Sequence, residues 1–305
     1  MSINKRKSTG VKGIFPLAIV QGIPEKYENI QELFNELELS SLNWMLAGDF
    51  KFINETIGIQ GFSSTYCCPY CLKKKPWAGP HAQLRTLGHI RKHAREFREK
   101  LESGEKQWRD APEFFSSVNQ PLFDEPDWTC ILWLIPIPEL HLLIGIINKI
   151  CDVLNFRWSK LSGIEDRFYK WADKKAKLQR QSYQDKSFNG PTCKKLLDKK
   201  LRLLRCALPY CLRDFLLLFN SIDRIRHACF GQKLLASYKN EIENFGNLWS
   251  AFKIDITPKV HILLDHVPVF CAHHNKGLGY FNEQVLLITK LFSFYFSKPP
   301  FHLIS

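Results

Sequence analysis

Nowhere in the 305 residues is there an unbroken apolar run that could cross a membrane. The longest such stretch, Cys130 to Ile147, is interrupted by Pro136, Pro138, Glu139 and His141, so it reads as a buried strand or turn leading into a core helix. The ten cysteines have no regular framework spacing and no secretory signal stands before them. That argues against a disulfide scaffold and for reduced thiols in the cytosol or nucleus. Acidic residues are in deficit: 30 Asp and Glu face 43 Lys and Arg, a net charge of +13. This balance points to a polyanionic partner, most simply nucleic acid, although an anionic membrane surface would attract it too. Hydrophobic residues at 45% and aromatics at 13% exclude a disordered tail and can bury a core in one large domain or two ordinary ones.

Two short clusters carry metal-ligand chemistry. Cys68 and Cys71 enclose two residues, and His261 and His266 enclose four. Two thiols and two imidazoles make up the Cys2His2 set that holds structural zinc in a tetrahedron. About 190 residues separate the halves, so this is no small autonomous finger and the metal would close a long loop. Cys67 competes as a ligand, but only Cys68 leaves the two-residue gap whose turn presents both sulfurs to one ion. Buried structural thiols are the plainer alternative. His89 and His93 could chelate from a helix but read better as a solvated or DNA-facing pair, and His273 and His274 compete from the loop beyond Pro268. On an ideal helix an i, i+5 pair points about 140° apart. Both imidazoles can therefore meet one ion only if that turn tightens or unwinds, and Pro268 predicts that the helix ends there.

Along the chain, residues 1–13 carry Lys5, Arg6, Lys7 and Lys12 among small polar residues and read as a flexible basic tail. Ile14 to Val20 and Leu42 to Ala47 read as short buried strands, with an amphipathic helix between them on Ile30, Leu33, Phe34, Leu37 and Leu39. Asp49 follows the second strand. It is either the N-cap of a helix starting at Phe50 or a metal-binding carboxylate of the kind α/β folds place at strand ends. Residues 104 to 128 read as a connecting loop, and helical stripes run from Glu139 and again from Leu201 to Phe252. Phe281 to Phe296 reads as a last apolar helix. Arg157 to Arg205 holds 15 Lys and Arg against 5 Asp and Glu, so this segment supplies +10 of the chain's +13. Trp158, Phe168, Tyr169, Trp171 and Tyr183 alternate with these charges, a mixture suited to phosphate contacts and base stacking. A basic run from Arg85 to Lys100 precedes it. The candidate nucleic-acid contacts are Arg91, Lys92, Lys174, Lys175, Lys177, Arg180, Lys194, Lys195, Lys199 and Lys200.

Gly48-Asp49 followed by Cys68 and Cys71, with nineteen residues from Asp49 to Cys68, resembles the second catalytic aspartate and first zinc half of the V(D)J recombinase catalytic subunit family and its transposon relatives. Ile90 to Ala94 (IRKHA) is similar to the basic helix that follows in that family. Pro138 to His141 (PELH) and Phe188 to Lys199 (FNGPTCKKLLDK) resemble parts of its helical insertion. His261 to Pro268, then Gly277 and Gly279, then Lys290-Leu291-Phe292, resemble its second zinc half and the approach to its catalytic glutamate. The resemblance covers roughly residues 40 to 298. It implies an α/β fold, a partial RNase H-like transposase core over 14–66 and 267–298. A zinc-stapled, all-helical insertion region over 67–266 would interrupt it.

The same resemblance implies structural zinc on Cys68, Cys71, His261 and His266, double-stranded DNA as partner, a possible homodimer and a nuclear location. In that family three carboxylates hold two Mg or Mn ions that activate water or a 3′-hydroxyl at a DNA phosphate. Here the glutamate position falls on Leu286, which cannot bind magnesium. Glu283, three residues earlier, is the remaining candidate beside Asp49, and residues 1–13 contain no acidic residue to serve as the first aspartate. The chain is thus expected to be a truncated, degenerate transposase that binds zinc and DNA without strand transfer. Two alternatives stand: a metal-dependent nuclease or strand transferase completed by an upstream segment, and a zinc-stapled protein-interaction module.

Overall fold

A computed structural model describes residues 26–36, 47–77, 79, 82–181 and 187–281. Helices hold 63% of these residues and no sheet forms among them, which overturns the α/β, RNase H-like expectation. Extended pairing among them is limited to three isolated antiparallel bridges, Ile59 with Ser117, Cys71 with Leu84 and Thr86 with Cys130. The stretches read as strands, 14–20 and 42–47, lie outside the described residues except for Ala47. So do the basic tail and the last apolar helix beyond Phe281, with Glu283 and Leu286.

The physical reason for the correction is visible at α1 (Tyr27–Glu36) and α2 (Phe50–Ile57). Their apolar stripes, Ile30 and Phe34 on one and Phe50, Ile53 and Ile57 on the other, are covered by each other and by irregular chain, with no sheet beneath them among the described residues. The Phe34 and Phe123 rings meet edge to face at 6.0 Å. Gly58 ends α2 at a left-handed φ of +76°, and its carbonyl accepts from the backbone N–H groups of Val118 (2.8 Å) and Asn119 (3.0 Å). A short apolar run satisfies the strand and helix templates equally until its neighbours are known.

Thr86 caps α3 (Leu87–Glu102) by accepting from His89 N–H, and the helix buries Leu87, Ile90, Ala94 and Phe97. The stretch after it, read as a bare loop, contains a 3₁₀ turn at Trp108–Phe114. From there Ala111 and Phe114, with Val118 beyond, pack on Phe97 as a small second core. A single turn, α4 (Ile131–Leu134), leads to the 24-residue α5 (Glu139–Ser162), the axis of the molecule. Around it pack α6 (Arg167–Trp171), α7 (Gly190–Lys195) and α9 (Phe215–Ile225), while α8 (Leu201–Ala207) and α10 (Tyr238–Ala251) lean on α9. Last come α11 (Pro258–His261), packed on α5, and α12 (Val267–His274). One hydrophobic core runs through all of this from Ile30 to Phe281.

Among the described residues, four π-helical turns interrupt or extend the helices, at Ala172–Ala176, Leu196–Lys200, Arg226–Phe230 and Ile262–His266. The aromatic residues expected to stack on bases belong to the core instead. Trp158, Phe168, Tyr169 and Trp171 are buried, with Phe168 5.8 Å from Trp171 and 6.4 Å from Phe188. Tyr183 lies outside the described residues.

Candidate metal centre

The two clusters converge. Cys68 Sγ lies 3.3 Å from His266 Nε2, Cys71 Sγ lies 3.3 Å from His261 Nε2, and the two Nε2 atoms are 3.3 Å apart. All four ligand atoms lie within 4.8 Å of one another and all four residues are buried. A tetrahedral zinc with Zn–N near 2.0 Å and Zn–S near 2.3 Å separates neighbouring nitrogens by about 3.3 Å and sulfur from nitrogen by about 3.5 Å. The donor set and its spacing therefore fit structural zinc, with no position left open for substrate.

The helix carrying the histidines solves the i, i+5 problem without ending. Thr257 caps α11, whose last residue is His261; the π turn Ile262–His266 follows, and α12 continues through Pro268 in its first turn. Val267 N–H donates to Ile262 O, five residues back. Bonding of that reach places residues five apart one full turn above each other, so the two imidazoles share a face. The expectation that the helix stops at Pro268 is thus corrected: the proline falls just after the π turn and α12 runs on to His274.

Four further residues hold the ligands in place. Asp265 Oδ2 lies 3.1 Å from His261 Nδ1 and 3.0 Å from Lys73 Nζ, so His261 donates its other ring N–H to a carboxylate and its Nε2 lone pair faces the metal position. Burial alone would lower the His261 pKa, but Asp265 and Cys71 outweigh it and the net shift is upward. Burial likewise opposes ionisation of Asp265, and hydrogen bonds from His261 and Lys73 reverse this and hold the carboxyl well below its usual range. Trp77 stacks on the His261 ring at 4.1 Å and 14°. His266 Nδ1 is buried with no hydrogen-bond partner.

Arg85 organises the cysteine turn. Its side chain is completely buried; Nε donates to the carbonyls of Cys68 (2.8 Å) and Cys71 (3.1 Å), and Nη2 to those of Tyr66 (2.7 Å) and Phe115 (2.9 Å). Burial lowers its pKa to about 10, against the opposing pull of the nearby cysteines, so it remains a cation at neutral pH. Cys71 Sγ accepts from the Lys73 backbone N–H at 3.4 Å. Hydrogen bonds from Cys68 and from both histidines draw the Cys71 thiol well below its usual range, while burial pushes Cys68 up. Two thiolates balance a dication, which lets the centre be buried without net charge.

The competing ligands are placed elsewhere. Cys67 is buried but outside the cluster, His89 pairs with Gln83, and His93 pairs with Glu96. His273 stacks on Trp133 at 4.0 Å. Asp49 acts as the N-cap of α2, its Oδ1 accepting from Phe52 N–H at 2.8 Å, and it joins no group of three or more candidate ligands among the described residues. The other candidate catalytic carboxylate, Glu283, lies outside those residues. Arg91 is committed to structure: its guanidinium donates to the carbonyls of Glu125 and Phe123 and to Asp127. Lys92, Lys174, Lys175, Lys177, Lys194, Lys195 and Lys199 are exposed and Lys200 half-buried, whereas Arg180 is drawn to Asp173 and lies over the Tyr169 ring.

Asp265, Lys73, Trp77 and Arg85 went unassigned in the sequence. For Asp265 there was a signal, the i, i+4 spacing from His261. For Arg85 there was only membership of a basic run, which pointed to solvent. No protein-family model matches the chain, and no curated protein matches it either.

Proposed function

We propose that this protein is a zinc-stapled helical DNA-binding protein of transposon descent, working in the nucleus without cutting DNA. The observation that supports DNA binding is the packing of its two lysine-rich segments. Lys195 Nζ donates to the carbonyl of Lys177 at 2.8 Å, which joins the segment carrying the exposed Lys174, Lys175 and Lys177 to the one carrying the exposed Lys194, Lys195 and Lys199. Such a cluster has the charge of a phosphate-tracking surface, and its binding would release counterions. The resemblance of the ligand segments to the recombinase family supports the descent. The capping role of Asp49 supports the absence of phosphoryl transfer.

The test is binding of the zinc-loaded protein to duplex DNA over a range of salt concentrations. Affinity is expected to fall steeply with salt. Charge reversal by Lys194→Glu with Lys199→Glu is expected to weaken binding at least tenfold and to reduce the log–log salt slope by about 2. Binding to no duplex at low salt, or equal binding at low and high salt, would favour the protein-interaction alternative. Nicking with Mg²⁺ or Mn²⁺ that disappears on Asp49→Ala would overturn the non-catalytic part.

A further inference from the structure

The lysine cluster continues into a basic rod that ends on an exposed tyrosine. α7, the π turn Leu196–Lys200 and α8 follow one another without a break from Gly190 to Ala207. Lys194, Lys195, Lys199, Arg202 and Arg205 are exposed along it. From Lys194 to Arg205 the rod advances about 16 Å at 1.5 Å per residue, the length of about five phosphates of one strand at 3.4 Å each. At its end Leu208 turns the chain out of the helix, and Pro209 leads into the 3₁₀ turn Tyr210–Leu212. Leu208 and Leu212 are buried and anchor this corner, and Leu212 N–H donates to Pro209 O at 3.0 Å. Tyr210 between them is 85% exposed, the most exposed of the chain's described large hydrophobic side chains.

A single exposed aromatic residue is ordinary on a protein surface. This one is set apart by its neighbours. The Arg213 guanidinium carbon lies 5.7 Å from the ring centroid, and Arg213 Nε donates to Leu208 O, which fixes the cation against the ring. Of the aromatic residues that alternate with the basic charges upstream, the four among the described residues, Trp158, Phe168, Tyr169 and Trp171, are buried and cannot meet a base. An exposed ring beside a guanidinium, on a corner anchored by Leu208 and Leu212 at the end of a phosphate-length basic stripe, has the parts of a single-strand stacking platform: a π-face for any base and cations for the backbone.

We propose that Tyr210, backed by Arg213, stacks on an unpaired base of a nucleic acid whose phosphates run along the rod from Lys194 to Arg205. This rests on the nucleic-acid reading above and narrows it: the preferred ligand is a duplex with a single-stranded extension rather than a blunt duplex. The test is fluorescence anisotropy with labelled blunt duplex and with the same duplex carrying an oligothymidylate overhang. The overhang is expected to bind at least about fivefold more tightly, in line with the strength of one base–aromatic stack. Tyr210→Ala is expected to remove that advantage while leaving blunt-duplex affinity unchanged, and Tyr210→Trp to retain it. An overhang that confers no advantage, an advantage that survives Tyr210→Ala, or an equal loss on both ligands would overturn the platform while duplex binding still stood. Failure of the wild-type protein to bind either ligand would overturn both readings.

Discussion

Asp265 and Arg85 show how single side chains set the properties of a buried ligand group. Asp265 fixes the tautomer and ring orientation of His261 while Lys73 balances its charge. Asp265→Asn keeps the size but removes the carboxylate, and zinc affinity is expected to fall about 10- to 100-fold, measurable by competition with a chromogenic chelator. An unchanged affinity would remove Asp265 from any role in binding. Arg85 supplies donors to four backbone carbonyls from a single planar fork. A lysine ammonium cannot reproduce that geometry. Since a buried carbonyl left unpaired costs about 1–3 kcal/mol, Arg85→Lys is expected to destabilise the fold by at least about 2 kcal/mol, read from urea unfolding of the zinc-loaded protein. A loss below 0.5 kcal/mol, on the order of a neutral surface change, would contradict the role assigned to Arg85.

Among the elements, the turn Ile262–His266 does what an ordinary α-helix cannot. By shifting one hydrogen bond to five-residue reach it aligns His261 with His266 and still passes the chain into α12, keeping Val267, Phe270 and Cys271 in the core. Gly58 has a comparable duty at the end of α2. A Cβ there would lie 2.0 Å from the Asn119 carbonyl oxygen, and its φ of +76° already disfavours any other residue. Gly58→Ala is therefore expected to cost about 1–3 kcal/mol or more, seen as a lower urea midpoint with an unchanged slope. A midpoint equal to wild type would mean that the 118–119 segment moves away freely.

For the molecule as a whole, zinc would tie the cysteine turn to the α11–α12 segment, joining parts of the chain 190 and 198 residues apart. Because the core extends well beyond the centre, removing the metal is expected to loosen the fold rather than abolish it. A strong chelator should lower Tm by at least about 5 °C, and Cys68→Ser should start from the lower Tm and no longer respond to chelator. A chelator-insensitive wild type holding no zinc would refute the centre. The sequence alone determined the ligand types, their two- and four-residue gaps, the excess positive charge over 157–205, and the helical stripes of α1, α2 and α5. These are local properties, carried by side-chain chemistry and by periodicities of a few residues. Tertiary structure decided the rest. Periodicity shows which face of a segment is apolar but not what covers it, so α1 and α2 were legible as helices while their packing on each other and on irregular chain was not. Charge and aromatic content show what a segment could touch but not which side chains reach solvent. Trp158, Phe168 and Tyr169 therefore went to the core and Arg85 to the cysteine turn, while Tyr210 stayed in water. The four ligands were legible one by one, but their convergence through a widened helical turn depended on contacts spanning most of the chain.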